Sequence, residues 1–311
     1  MHPPEARPRS ASRESLWPGL LLASSGAVAF SGKAIIVKLA YRHGVDAITL
    51  IAYRMLFALP LFVLLAVLAG RGKAALTRRD WTVVLGLGFS GYYLASTLDF
   101  VGLQYISAGL ERLILYLSPT LVLLFGAVLF TRRVKATQVA ALGVSYAGVL
   151  VVFGHEAVLQ GANAANVANV TVGALFVFAS TLSHAFYLLY SGEEVKRLGA
   201  LRLTGLASTV ACLLCIVQFI VLRPLAALVV APEVLWLSLL NATLCTFAPI
   251  LLVMMAMERI GAVLTTQVSM IGPLSTILMG VLILGEPFTA WLVAGTALVL
   301  LGVWMLAQRV R

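Results

Sequence analysis

The sequence is poor in charge. Only 11% of its 311 residues are Asp, Glu, Lys or Arg, whereas a soluble domain carries about 25%. Hydrophobic residues make up 61%, and runs of about 20 apolar residues recur along the chain, each long enough to cross a hydrocarbon core of about 30 Å. The low charge excludes a soluble globular domain, and the length of the apolar runs excludes a membrane β-barrel, whose strands alternate over short segments. The sequence therefore predicts an all-α polytopic membrane protein.

Cysteine is scarce as well. The three cysteines, Cys212, Cys215 and Cys245, all fall within apolar runs. Cys212 and Cys215 lie one helical turn apart in the same run, which indicates packing rather than redox chemistry. No His, Cys and carboxylate residues have the spacing of metal ligands. We therefore expect no disulfide, no metal and no cofactor.

Basic residues give the chain a net charge of +10, but they do not form a nucleic-acid-binding patch. They lie mostly in short connections between apolar runs, as topology signals do. With ten spans, 16 of the 22 basic residues fall on the side of the N-terminus and three on the other side. We expect a protein of the cell membrane with both termini in the cytoplasm and no nucleic-acid partner. The predicted spans are 17–41, 46–69, 80–104, 107–130, 134–153, 171–191, 201–222, 233–257, 261–284 and 287–308.

An internal repeat divides the chain in two. A shift of 154 residues aligns Pro119 with Pro273 and Gly148 with Gly302. Each half then holds five spans, and because five is odd the second half enters the membrane upside down, as in many secondary transporters. The predicted segments are a disordered cytoplasmic tail (1–16), a first five-helix repeat (17–153), an extracytoplasmic linker (154–170) and a second repeat (171–308).

Charges lie inside the predicted spans of the first half. Asp99 and Arg112 flank the turn between the third and fourth spans at the same depth, about 10 Å from its tip. Ionisable groups in a bilayer tend to face the bundle interior and pair with one another. Asp99 and Arg112 are therefore predicted to form a structural ion pair or to line a substrate path, and both interpretations stay open.

Lys33 and Arg54 form a second pair at equal depth, near the middle of the membrane. Two cations at one depth repel unless an anion joins them. Glu111 is the candidate within the protein, and a substrate carboxylate or phosphate is the other. We therefore predict that Lys33, Arg54 and Glu111 contribute to a substrate site.

The second half has polar residues where the first half has charges. At the shift of 154, Lys33 corresponds to Tyr187 and Glu111 to Thr265. This half is predicted to supply a hydrogen-bonding face, on which His184 could titrate in a proton-coupled cycle or simply join two helices. The residues predicted for this face are His184, Tyr187, Asn241, Thr265 and Thr266.

Pro119 and Pro273 lie in the middle of equivalent spans. Proline frees a backbone carbonyl and permits a kink. The pair is interpreted as a hinge or gate, with a merely structural bend as the alternative.

The chain resembles the EamA-type permeases of the drug/metabolite transporter superfamily. The similar stretches are FSGKAIIVKLAY (30–41), YRMLFALPLF (53–62), LQYISAGLERLILYLSPTLV (103–122) and MERIGAVLTTQVSMIGPLSTILMGVLILGEP (257–287), and the likeness covers about residues 17–308. It implies a permease with a central cavity between two inverted halves. The two halves differ at the end of the ninth span, which has the sequence Gly-Glu-Pro. There Glu286 has Arg132 as its counterpart in the first half.

The sequence is compatible with three classes of function. The first is a secondary transporter, in the exporting direction, for a small metabolite such as an amino acid or another anionic or zwitterionic solute. The second is an intramembrane enzyme acting on a lipid-linked substrate, and the third is a non-transporting receptor or assembly factor. The inverted repeat favours the transporter, with a small-molecule substrate, the lipid bilayer and a coupling proton as partners. The sequence leaves monomer and homodimer open.

Overall fold

Apolar runs in a bilayer fold as helices because the backbone must satisfy its hydrogen bonds internally. The computed structural model describes residues 13–130, 135–161 and 163–307, and this part of the chain contains helices and connecting turns but no strand. Eight helical stretches have the length and hydropathy of a membrane span. Residues 78–102, which a π-helical segment interrupts, and the shorter apolar helix at the end of the chain complete ten spans.

The first half forms five spans from seven helices. A π-helical segment, Gly88–Leu94, joins α3 to α4 in the third span, and a break at Tyr116 and Leu117 separates α5 from α6 in the fourth. The helices are α1 (Arg13–Tyr41), α2 (Ala47–Gly70), α3 (Arg78–Leu87), α4 (Ala95–Gly102), α5 (Ala108–Leu115), α6 (Ser118–Phe130) and α7 (Ala136–Leu159).

The second half forms five spans from six helices. A π-helical segment, Thr243–Phe247, joins α10 to α11, and another, Gly280–Leu284, extends α12. The backbone leaves the helical conformation at Gly261 (φ 79°, ψ 162°), so the two parts of α11 belong to different spans. The helices are α8 (Ala164–Leu198), α9 (Ala200–Leu222), α10 (Pro232–Ala242), α11 (Ala248–Ser269), α12 (Gly272–Met279) and α13 (Ala290–Ala307).

Irregularities in the helices recur at the shift of 154 residues. The helix break between Leu115 and Ser118 has its counterpart between Ser269 and Gly272. The π-helical segment of the third span likewise has its counterpart, Thr243–Phe247, in the eighth. The fold is thus the predicted one, ten spans in two inverted five-helix repeats.

The two repeats interlock. α1 packs against α11, α2 against α9, α4 against α8, and α7 against α13. At the last of these crossings a Cβ on Gly148 would lie 2.6 Å from the carbonyl oxygen of Gly295, and a Cβ on Gly302 would lie 2.6 Å from that of Ala141. The glycines therefore let the two backbones approach closely, as small residues do in membrane helix pairs.

The connections between spans gather at two ends of the bundle. At one end Arg197 pairs with Asp80, and Lys73 donates a hydrogen bond to the Leu198 carbonyl. We call it the basic end, because it carries the basic residues of 71–79 and 196–202. At the other, the opposite end, Arg223 pairs with Asp46 at 3.0 Å.

Several predicted boundaries shift. α7 continues to Leu159 and α8 begins at Ala164, so most of the predicted linker 154–170 is helical. The Asn163 side chain caps α8 by accepting a hydrogen bond from the amide of Asn166 (2.8 Å), which stabilises a helix start that hydropathy does not reveal. α1 begins at Arg13, inside the predicted tail 1–16. Residues 1–12, 131–134 and 308–311, on which parts of the tail, one basic loop and the C-terminus fall, lie outside the described residues.

Candidate functional site

A cavity of about 510 Å³ lies between the two repeats, and it is lined by side chains of both. The predicted residues Lys33, Arg54, Asp99 and Arg112 line it from the first repeat, and His184 and Tyr187 from the second. Its wall also includes apolar side chains, among them Leu188, Ile250 and Met254. Such a mainly apolar cavity with a few convergent polar groups is the usual form of a small-molecule site.

Lys33 is held by two carboxylates. Its Nζ donates a hydrogen bond to Asp99 Oδ2 at 2.6 Å and lies 3.1 Å from Glu111 Oε1. Of the two interpretations of Asp99 and Arg112, the ion pair between them is therefore wrong, because Asp99 takes Lys33 as its ionic partner. Their role in a substrate path stays a prediction. The two residues of the predicted pair share a depth, but the helices face Asp99 toward α1.

Arg54 has neutral neighbours. Its Nε donates a hydrogen bond to Thr246 Oγ1 at 3.0 Å, and its guanidinium lies 5.1 Å from the ring centroid of Phe100. Its Nη1 is buried without a hydrogen-bond partner. Arg54 thus makes one cation–π contact and one hydrogen bond, and it has donor capacity to spare.

Arg112 is bound in a similar way. Its Nη2 donates to Ser31 Oγ at 2.9 Å, its guanidinium lies 5.0 Å from the ring centroid of Phe30, and its Nε has no hydrogen-bond partner. The Ser31 hydroxyl also lies 2.8 Å from the carbonyl oxygen of Gly272 in the second repeat. Arg112 therefore connects the charged cluster with the other repeat.

Three cations face two acids in this cluster. Lys33, Arg54, Asp99, Glu111 and Arg112 are each 6% or less exposed. Because Lys33 already meets both carboxylates, the surplus positive charge falls on the two guanidinium groups. Two arginine nitrogens, Asp99 Oδ1 and Glu111 Oε2 are buried without a hydrogen-bond partner. Glu111 is not among the residues that line the cavity, so the unused groups at the cavity belong to Arg54, Arg112 and Asp99.

Tyrosines form the hydrogen-bonding part of the cavity. The hydroxyls of Tyr92 and Tyr187 lie 3.2 Å apart, and the ring of His184 stacks on that of Tyr187 at 5.6 Å. A Cβ on Gly91 would overlap the Tyr187 ring, so glycine is required for this packing. Sequence reasoning missed Tyr92, and only its neighbour Gly91, which reserves space for an aromatic ring, could have drawn attention to it.

Asn241 and Thr265 are not among the residues that line the cavity. Asn241 is buried, and its backbone carbonyl accepts a hydrogen bond from Thr246 Oγ1 (2.8 Å). Thr265 Oγ1 donates to the Gly261 carbonyl at 2.8 Å, within its own helix. The side chain of Thr266 lies outside the described residues. Thr246 reaches the cavity instead and supports Arg54.

Pro119 and Pro273 lie directly after the two equivalent helix breaks. Each proline leaves the carbonyl four residues before it without a helical donor. The carbonyl of Leu115 accepts from Ser118 Oγ at 2.7 Å, and that of Ser269 accepts from Tyr116 Oη at 2.8 Å. The second bond joins the two breaks across the repeats, next to the cavity.

A sequence model of the EamA-like transporter family matches residues 17–154 and 171–308, one copy for each repeat. The chain belongs to this family. It is a multi-pass membrane transporter by this membership, as its ten spans and inverted repeats also indicate.

Two relatives of this EamA-like transporter are themselves named as transporters. The chain is 31% identical to "Uncharacterized transporter YcbK" of Bacillus subtilis (strain 168), with 86% of each chain covered. It is 24% identical to an "Uncharacterized transporter" of Archaeoglobus fulgidus, with 84% of this chain and 89% of the relative covered. A protein crystal structure superposes with a TM-score of 0.61 at 20% identity, over 94% of this chain and 98% of that one. This likeness supports the fold.

Proposed function

We propose that this EamA-like protein is a secondary transporter that exports a small anionic or zwitterionic metabolite, such as an amino acid, by alternating access. The observation that carries the proposal is the cavity between two inverted repeats, with two incompletely bonded guanidinium groups at its charged side. Transporters with inverted repeats bind their substrates near the bilayer midplane between the halves. The membrane itself is proposed to be the cell membrane, with both termini in the cytoplasm.

In this proposal the acidic group of the substrate binds to Arg54 and Arg112. Both keep a donor nitrogen without a partner, whereas Lys33 is paired with Asp99 and Glu111. Guanidinium groups bind carboxylates in a fixed bidentate geometry. The ammonium of a zwitterion binds to Asp99, which lines the cavity, and the rest of the solute packs against the apolar wall.

Export is supported by where the cavity lies. Along α1 it runs from Lys33 back to Gly26, and along α11 from Pro249 to Met254, which in both helices is the direction of the basic end. The positive-inside rule assigns this end to the cytoplasm. The cavity therefore extends toward the compartment from which an exporter loads.

A proton is proposed as the coupling ion. Asp99 and Glu111 share the single ammonium of Lys33, and both carboxylates have unpartnered oxygens. A proton bound by either carboxylate would remove the repulsion between the two. His184, whose ring lies against Tyr187 in the cavity wall, is a second group that can carry the proton.

The proposal is tested with purified protein in proteoliposomes and a panel of labelled anionic, zwitterionic and cationic metabolites. We expect uptake of a solute with an acidic group, and a loss of at least tenfold in apparent affinity for Arg54→Lys and Arg112→Lys, because lysine cannot reproduce the bidentate bond. Arg223→Gln is the matched control, since Arg223 forms an exposed pair with Asp46 far from the cavity and should leave transport unchanged. Transport of purely cationic solutes, or wild-type affinity in both arginine variants, would contradict the proposal.

A further inference from the structure

Two glutamates hold the first turn of α5 at the opposite end of the bundle. Glu156, on α7 of the same repeat, accepts hydrogen bonds from the Ser107 amide at 2.6 Å and from Ser107 Oγ at 2.5 Å. Glu286, in the second repeat, accepts from the amides of Ala108 at 2.8 Å and Gly109 at 3.4 Å. The first amides of a helix have no helical acceptor, and a carboxylate there is also favoured by the helix dipole. Of the two contacts, the one made by Glu286 joins the repeats.

α5 connects this contact with the charged cluster. It is a helix of eight residues, about 12 Å long, and it carries both Glu111 and Arg112. After its last turn Tyr116 donates a hydrogen bond to the Ser269 carbonyl of the second repeat. A movement of the Glu286 end of α5 therefore moves the charges at the cavity as well.

The bundle is closed between Glu286 and the charged cluster. Leu103, Ile106 and Leu110 are completely buried in this region, whereas the cavity lies on the other side of the cluster, toward the basic end. The contact of Glu286 with α5 thus belongs to the state in which the opposite end is shut.

The sequence makes this contact asymmetric. In an inverted repeat the two halves exchange conformations when the transporter switches sides, so two identical halves would make the two states equal in energy. At the shift of 154 the counterpart of Glu286 is Arg132, which lies outside the described residues. Arginine is only a donor and cannot accept bonds from helix amides. A glutamate at this position can therefore bind the start of the facing helix in only one of the two states.

We propose that Glu286 is a positioning residue that holds the protein in the state whose cavity faces the basic end. The inference rests on the proposed function, because it takes the cavity as the path of the solute. It explains why this state is the resting one. The carboxylate of Glu286, in the second repeat, binds the first turn of α5, in the first repeat, and so holds the opposite end shut. For an exporter, this resting state is the one that accepts the solute.

The test measures distances in the full-length protein and needs no substrate. Cys212, Cys215 and Cys245 are first replaced by alanine, and spin labels are attached to two pairs of introduced cysteines in exposed positions. One pair, Gln104→Cys with Phe288→Cys, spans the repeats at the opposite end, and the other, Arg79→Cys with Arg259→Cys, spans them at the basic end. In Glu286→Gln we expect the population ratio of the two states to shift roughly tenfold, with longer distances at the opposite end and shorter ones at the basic end.

The matched control is Glu156→Gln. It removes a carboxylate charge that contacts the same turn of α5, but Glu156 belongs to the same repeat as α5. Its distance distributions should therefore stay those of the wild type. Arg132→Glu is a second variant, which places a glutamate at the position equivalent in sequence to Glu286 and should shift the ratio in the same direction. Unchanged distances in both Glu286→Gln and Arg132→Glu, or an equal shift in Glu156→Gln, would overturn the inference. Failure of the proposed function would show in the transport assay and leave these distances as they are.

Discussion

Lys33 is the residue on which the charged cluster depends. It is the ionic partner of Asp99 at 2.6 Å and of Glu111 at 3.1 Å, and Glu111 is completely buried. Removing one partner of a buried ion pair costs more free energy than removing both partners, because the desolvation of the remaining carboxylate is no longer offset. The cluster is therefore sensitive to which of its members is removed.

We expect Lys33→Met to lower the free energy of unfolding by about 3–5 kcal/mol, since it removes the direct ionic partner of two buried carboxylates. Asp99→Asn should cost less, because Lys33 keeps Glu111 as a partner. Thermal unfolding in detergent, followed by intrinsic fluorescence, measures both. The triple variant Lys33→Met, Asp99→Asn, Glu111→Gln should regain most of the loss. A Lys33→Met protein as stable as the wild type would show that the acids are not held by this lysine.

Among the elements, the crossing of α7 and α13 depends most directly on small residues. Gly148 faces Gly295, and Gly302 faces Ala141 and Ser145. Gly148 and Gly302 are themselves equivalent at the shift of 154 residues, so the same packing device occurs once in each repeat. The repeat thus explains why glycine occurs at these two positions.

A methyl group at Gly302 has no space. Because its Cβ would lie 2.6 Å from the Ala141 carbonyl oxygen, we expect Gly302→Ala to separate the two helices and to cost about 1–3 kcal/mol of stability. Gly143→Ala, on α7, is the matched control, since its Cβ would meet nothing within 4 Å. Thermal unfolding of the two variants distinguishes them. Equal melting temperatures for both would argue against a tight crossing.

For the whole molecule, the orientation in the membrane follows from the positions of basic residues. The connections at the basic end carry most of them, and the contacts of Arg197 with Asp80 and of Lys73 with Leu198 show that these connections lie together. Short basic loops stay in the cytoplasm during insertion. The structure confirms that the loops share an end and leaves the side of the membrane as a prediction.

Single cysteines test the orientation. In the cysteine-free background, Ala75→Cys at the basic end should react with a membrane-impermeant maleimide only in inside-out vesicles, and His43→Cys at the opposite end only in intact cells. Both positions are exposed. The reverse pattern would place the N-terminus outside and would turn the proposed export into import.

The fourth and ninth spans follow most directly from the sequence. Pro119 and Pro273 align at the shift of 154, and the structure places equivalent helix breaks directly before them. Span lengths and the inverted repeat could be predicted because they depend on local properties: the length of an apolar run and the missing amide of proline.

The pairing of the charges was decided by the tertiary structure alone. The structure brings Lys33, Arg54 and Arg112 to one cavity. Spacing along a helix gives only depth, at 1.5 Å per residue. It does not give the direction in which a side chain points around the helix axis, because rotation is set by packing against neighbouring helices. For this reason the sequence did not show that Asp99 pairs with Lys33 instead of Arg112. Nor did it show that Glu286 binds the first turn of a helix that lies 178 positions before it in the sequence.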